Sequence, residues 1–322
     1  MQYLDFEKPI FELEKKISEL KEFADGEKLE ISSEIKILTA KLERLQREIY
    51  KKMNRWQRVK IARHPARPYT LDYIEALATD FIELHGDRGY GDDKAIVVGL
   101  ATLEGRRVLF VGQQKGRDVK QRQFRNFGMC HPEGYRKALR GFQLADRFKL
   151  PIVILIDTPG AYPGIEAEER GQAEAIARNL REMCRIRVPI VVVVIGEGAS
   201  GGALGIGLGD KIFMLENSWY SVISPEGCAA ILWKENPQEK YETAADALRV
   251  TAQDAMGLGI VDKIIPEPLG GAHRDPGKVM DLVRKYILGA LEELERIEPA
   301  ELLAKRLAKY RKIGVFEIEK EN

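Results

Sequence analysis

The segment Pro189–Gly207 reads PIVVVVIGEGASGGALGIG. Its first seven residues form an apolar run of strand length, bounded by a loop of glycines and then by small residues in helical order. A continuous apolar strand, rather than an alternating one, is expected where both faces of a parallel sheet are covered. The same grammar recurs at PIVILIDTPGAYPG (Pro151–Gly164), and AIVVGLATLEGRRVLFVG (Ala95–Gly112) predicts two strands joined by a hairpin at Glu104-Gly105. Further strands are expected in KIFML, YSVI and VDKIIP, and helices over 71–84, 133–148, 166–187, 228–233 and 242–258, with amphipathic helix again in the last 40 or so residues. Strands alternating with helices define an α/β body.

Ahead of that body stands a helical arm. Ile31, Ile35, Leu38, Leu42, Leu45, Ile49, Met53 and Trp56 step by threes and fours, as do Ile10, Leu13, Ile17 and Leu20. Asp25-Gly26 between them predicts a turn and an antiparallel hairpin that packs on its own body, grips another subunit, or does both. The two prolines of HPARPYT (His64–Thr70) mark the boundary, giving an arm over 1–63 and a body over 64–322.

The 322 residues carry 51 Lys+Arg and 50 Asp+Glu, and 44% are hydrophobic, ample for a core. The balance of +1 excludes a uniformly basic nucleic-acid binder but conceals an uneven layout. Residues 51–67 hold seven cations and no acid, and residues 105–126 hold seven against Asp118 alone. These two stretches are candidates for phosphate contacts, for an acidic protein partner, or for nucleic acid. No window is long and apolar enough to span a membrane, and the N-terminus has no signal-peptide pattern, so a cytoplasmic location is expected. Cys130, Cys184 and Cys228 form no disulfide framework, and the four histidines share no ligand spacing, so no metal site is expected.

Three chemistries fit the glycine loop. Gly196, Gly198 and Gly201 match G-x-G-x-x-G, with Glu216 twenty residues on, as in a dinucleotide fingerprint. Gly198-x-Ser200-x-Gly202 matches a nucleophile elbow, for which His273 and Asp262 are the available partners. Alternatively no side chain reacts: the Gly201 and Gly202 N–H groups form an oxyanion hole that a substrate carbonyl can approach closely. Small residues needed only for close helix–sheet packing are a fourth possibility. The second loop, Asp157–Gly164, leaves a neighbouring strand, and ligands of open α/β sheets bind at such strand ends. Together the two loops favour a backbone-built anion site. Glu197 and Glu226 flank it.

Eleven runs in order, among them LDFEKPI, ARHPARPYTLDYI, GDRGYGDDKAIV, GQQKGR, PEGYRKALR, IDTPGAYPG, AEERGQAEAIARNLREM, IGEGASGGALGIG, YSVISPEGCAAILWK and IIPEPLGGAHR, resemble the alpha-subunit family of the bacterial and plastid acetyl-coenzyme A carboxylase carboxyltransferase. The resemblance covers about residues 4–274. It implies a crotonase-like fold of ββα units and transfer of a carboxyl group from carboxybiotin, borne on the biotin carboxyl carrier protein, to acetyl-coenzyme A. The product is malonyl-coenzyme A, the first committed step of fatty acid biosynthesis. The partners it implies are a carboxyltransferase beta subunit (alpha2beta2), the carrier, and a biotin carboxylase that consumes ATP; no cofactor is bound covalently. Gly201 and Gly202 are then the catalytic pair, polarising the biotin ureido oxygen, and Gly160, Ala161, Tyr162, Gly198 and Ser200 line the carboxybiotin side. The competing expectations are a non-catalytic or RNA-binding scaffold that keeps the fold, and a serine hydrolase using Ser200. Ala199 stands where the family usually has glycine, and residues 235–249 diverge.

Overall fold

A computed structural model describes residues 3–27 and 32–314. The arm comprises α1 (Lys8–Glu27) and α2 (Ser32–Lys51), which pack on one another. The expected turn at Asp25-Gly26 is instead the last turn of α1; Ile31 lies outside the described residues. The seam also ends sooner than expected. Asn54 breaks it, accepting a hydrogen bond from the Gln57 N–H as an N-cap, and Trp56 opens a separate helix, α3 (Arg55–Ala62). At the base of the arm, Ile10 and Tyr50 pack on Ile61, whereas Trp56, Val59 and Ala62 pack on Trp219, Ala245 and Val250 of the body.

Then come α4 (Thr70–Leu77), β1 (Thr79–Glu83), β2 (Ile96–Leu103), β3 (Arg106–Gln113), α5 (Val119–Phe124), α6 (Pro132–Phe148) and β4 (Ile152–Thr158). The helix expected over 71–84 is therefore half strand. Thr79-Asp80-Phe81-Ile82 finds a free sheet edge on β2, and the Phe81 ring lies over Gly99, where any side chain would collide. The hairpin forms as expected, with Glu104 and Gly105 both at positive φ.

The remainder is α7 (Ile165–Glu169), α8 (Gln172–Met183), β5 (Ile190–Ala199), α9 (Ser200–Leu204), β6 (Lys211–Leu215), β7 (Trp219–Ser221), α10 (Pro225–Leu232), α11 (Tyr241–Leu248), α12 (Ala252–Gly257), β8 (Lys263–Ile265), α13 (Pro276–Leu294) and α14 (Pro299–Arg311). The helix expected over 166–187 is split where Gly171 takes φ +81°, and that over 242–258 where Arg249 takes φ +52° and Thr251 caps α12. The sheet order is β1-β2-β3-β4-β5-β6-β8, antiparallel through β3 and parallel thereafter. β5 is long enough for two neighbours: residues 191–194 pair with β6, and residues 197–199 pair with β7.

Alternation along β4 explains the unbroken apolar runs. Ile152, Ile154 and Ile156 face a core built with α6, while Val153 and Leu155 face one built with α4 and α13. Each such side chain contributes about 1.5–3 kcal/mol by burial. α14 closes the sheet's other end through Arg306, 1% exposed. Its guanidinium binds Asp210 twice (2.8 and 2.7 Å) and donates to the carbonyls of Met183, Ile186 and Val188. All five donors are used. Arg306→Met should therefore strand a buried carboxylate and lower the unfolding free energy by about 3–5 kcal/mol. A urea midpoint unchanged from wild type would refute that clamp.

Candidate active site

Two loops meet at the carboxyl ends of β4 and β5. The first begins at Thr158, whose hydroxyl donates to the Gly128 carbonyl (2.6 Å) and accepts from the Gly160 N–H (3.1 Å). Gln172 donates to the carbonyls of Cys130 and Tyr162, and the Tyr162 ring lies 4.3 Å from that of His131. In the second loop β5 runs on through Ala199, and the chain turns at Ser200, an exposed residue at φ +56°. The loops touch: a Cβ on Gly202 would lie 2.7 Å from the Ala161 nitrogen, so only glycine allows this approach. Gly201 is less confined, meeting only the flexible end of Ile176 at 3.1 Å, and Gly160 has open space beside it.

Charged side chains clamp the loop bases. Lys115, 13% exposed, places Nζ 2.6 Å from both Asp157 and Glu197. Arg63 joins Glu197 (2.6 Å) to Glu226 and lies between the rings of Trp56 and Trp219. Burial pushes the Glu197 carboxyl up, but Lys115 and Arg63 outweigh it and hold the group down at about 2. Asp157 shifts the other way, raised by burial and by the nearby Glu197 charge. Burial lowers Lys115, yet the two carboxylates more than restore it, so the ammonium stays charged and is no base. The Gln113 amide spans both loops, donating to the Gly202 carbonyl (2.9 Å) and accepting from the Asp157 N–H (3.1 Å). A cavity of about 280 Å³ opens between Arg63, Lys115, Pro159 and Glu197.

Two of the sequence-based chemistries are not assembled. Gly196 and Gly198 belong to β5 and serve packing: a Cβ on the first would lie 2.5 Å from the Asp157 carboxylate, and one on the second 2.5 Å from the Tyr220 ring. They do not form a dinucleotide turn, and Glu216 accepts the Glu267 N–H instead. For a hydrolase, Asp262 is engaged by Lys309 (2.5 Å), and His273 stacks on His64 at 3.8 Å. Neither partners Ser200 among the described residues. The basic run 51–67 is also largely neutralised within the chain, by Lys52–Glu48, Arg55–Asp254, Lys60–Asp5, Arg63–Glu197 and Arg67–Glu267. It is mostly internal wiring rather than a cationic face.

Sequence reasoning missed Lys115, Gln113 and Arg63. The signal available was polarity at the end of a buried strand, since Gln113-Gln114-Lys115 interrupts the apolar run of β3.

Antiparallel strands leading into a parallel sheet whose strand-end loops carry backbone N–H groups make this a crotonase-like chain. Solved structures share the fold. Transcarboxylase 12S superposes with a TM-score of 0.59 at 23% identity, over 74% of this chain and 44% of that one. A Pseudomonas malonate decarboxylase hetero-tetramer in complex with coenzyme A gives 0.56 at 21%, over 73% and 90%. A family model described as acetyl co-enzyme A carboxylase carboxyltransferase-like matches residues 3–314. The acetyl-coenzyme A carboxylase carboxyl transferase subunit alpha of Methylococcus capsulatus is 55% identical, over 98% of both chains. That of Flavobacterium johnsoniae is 53% identical, over 98% of this chain and 99% of its own. The chain belongs to the acetyl-coenzyme A carboxylase carboxyltransferase alpha-subunit family. No helix among the described residues is long and apolar enough to cross a membrane.

The depressed Glu197 carboxyl makes a pH prediction. Its contribution is complete above its ordinary 4.5 and is lost as pH falls through about 2. Glu197→Gln should therefore unfold with a shallower loss of stability between those values than wild type, measured by urea titration at stepped pH. Parallel curves would remove the charged Glu197 from the account.

Proposed function

We propose that this chain is the alpha half of an acetyl-coenzyme A carboxyltransferase, moving a carboxyl group from carboxybiotin on a carrier protein to acetyl-coenzyme A to give malonyl-coenzyme A. The observation that carries the proposal is a strand-end site in which Lys115, Arg63, Asp157 and Glu197 are all engaged with one another. Each is held by the others, which leaves the loop N–H groups and the exposed Ser200 hydroxyl to face substrate, and the proposal gives the charge-stabilising role to the N–H groups.

Carboxybiotin supplies the carboxyl group, and negative charge grows on its ureido oxygen as the group leaves. The first N–H groups of a helix have no intrahelical acceptor, and in α9 these belong to Ser200, Gly201 and Gly202. In this proposal Gly201 and Gly202 donate to that oxygen, with Gly202 also seating its loop against Gly160 and Ala161. Gly160, Ala161, Tyr162 and Ser200 form the wall, while Gly198 supports the turn from beneath Tyr220. The charge develops where dipoles already point, which needs no protein base.

A beta chain as partner fits the apolar side chains left exposed, Ile165 and Leu204 next to the loops and Val222, Ile231 and Leu232 further along the chain. Phe23 and Ile37 on the arm are exposed too. A biotin carboxylase consuming ATP and a biotin carrier complete the proposed enzyme, and a cytoplasmic location follows from it.

The test is co-expression with the cognate beta chain and an assay of malonyl-coenzyme A-dependent carboxylation of free biotin. Gly201→Pro, which removes the N–H, should lower turnover by about 10²-fold, the usual loss for a deleted oxyanion donor. Gly202→Val should lower both turnover and melting temperature, because its side chain collides with the Gly160–Ala161 backbone. Wild-type turnover by Gly201→Pro would overturn the oxyanion assignment.

A further inference from the structure

The junction of arm and body holds a second cavity, of about 520 Å³, whose lining shares no residue with the strand-end cavity. Its wall is made by the end of α2, by α3, by the segment after β6 and by residues 267–270. Three cations line it: Arg47, Lys51 and Arg58. They stand apart from the rest of the basic run. Lys52, Arg55, Lys60, Arg63 and Arg67 each have a carboxylate within 4.0 Å. Among the described residues no carboxylate lies that close to Arg47, Lys51 or Arg58, and Arg58 donates only to the neutral Asn217 side chain (2.9 Å).

The acids nearby do not neutralise them. Glu267 is fully buried and committed to Arg67 through two hydrogen bonds (2.8 and 2.5 Å). Glu216 accepts the Glu267 N–H and is the one carboxylate left facing three cations. Like charges gathered around a concave, low-dielectric wall repel each other and raise the local potential, which an anion relieves. Guanidinium and ammonium groups are the side chains that bind phosphate oxygens. The volume suits a small molecule, and a cavity rather than a ridge disfavours a polymer.

We propose that this cavity binds the phosphate groups of a small phosphorylated molecule. Two sources share that chemistry: a free phosphorylated metabolite, and the phosphates of coenzyme A itself. The proposal does not depend on the carboxyl-transfer reading, because the test measures binding.

Inorganic pyrophosphate titrated calorimetrically into the co-expressed alpha–beta complex at low ionic strength should bind saturably. Arg47→Gln combined with Lys51→Gln should weaken it by at least about tenfold, the loss expected for charge-assisted contacts. Both residues are exposed and make no ion pair, so the fold is not at risk; Arg58→Gln is the second variant. Lys285→Gln, an exposed lysine on α13 outside both basic stretches, should bind as wild type does. Displacement by coenzyme A assigns the site to substrate phosphates, and failure to displace assigns it to a separate metabolite; both uphold the site. Absence of saturable binding, or equal binding by wild type and the Arg47/Lys51 variant, overturns it.

Discussion

One largely buried ammonium group ties together the strand ends of this sheet where the two glycine loops meet. Lys115 leaves the end of β3 and places its charge 2.6 Å from Asp157 at the end of β4 and 2.6 Å from Glu197 near the end of β5. Three adjacent strand ends are thereby tied at one point. Without the cation, two carboxylates would stand buried beside each other, an arrangement that costs several kcal/mol. Gln113, two residues earlier, completes the tie by hydrogen-bonding to both loops.

Glycine has two separate jobs here. At Gly196, Gly198 and Gly202 it makes room: for the Asp157 carboxylate, the Tyr220 ring and the Gly160–Ala161 backbone respectively. At Gly160, where a side chain would meet nothing within 4 Å, it leaves open space. A motif scan cannot separate these jobs, which is why one loop satisfied a dinucleotide pattern, a nucleophile pattern and a packing pattern together. Packing accounts for Gly196, Gly198 and Gly202, while Gly201 is held less tightly, with the end of Ile176 at 3.1 Å.

Much of the architecture was legible because its causes are local. Unbroken Val/Ile runs followed from strands buried on both faces, and the hairpin from Glu104-Gly105. Errors arose where tertiary contacts override the pattern. The strand at Thr79–Glu83 exists because β2 offers an edge and Gly99 admits Phe81. Gly171 and Arg249 break helices whose periodicity continues across the break. The two loops were legible as a site, but their clamp was not, since Arg63 lies 134 residues from its partner Glu197. The basic run 51–67 misled for the same reason: its charge is visible in sequence, and the carboxylates that neutralise it come from distant elements.

The central claim is that clamped backbone, and no reacting side chain, performs the transfer. Ser200→Ala measures it most directly, because serine and alanine tolerate the left-handed backbone at this position about equally. In the co-expressed alpha–beta enzyme, turnover in malonyl-coenzyme A-dependent carboxylation of biotin should stay within about an order of magnitude of wild type. Loss of a true nucleophile lowers turnover by about 10⁶-fold. A collapse of that size would contradict the account.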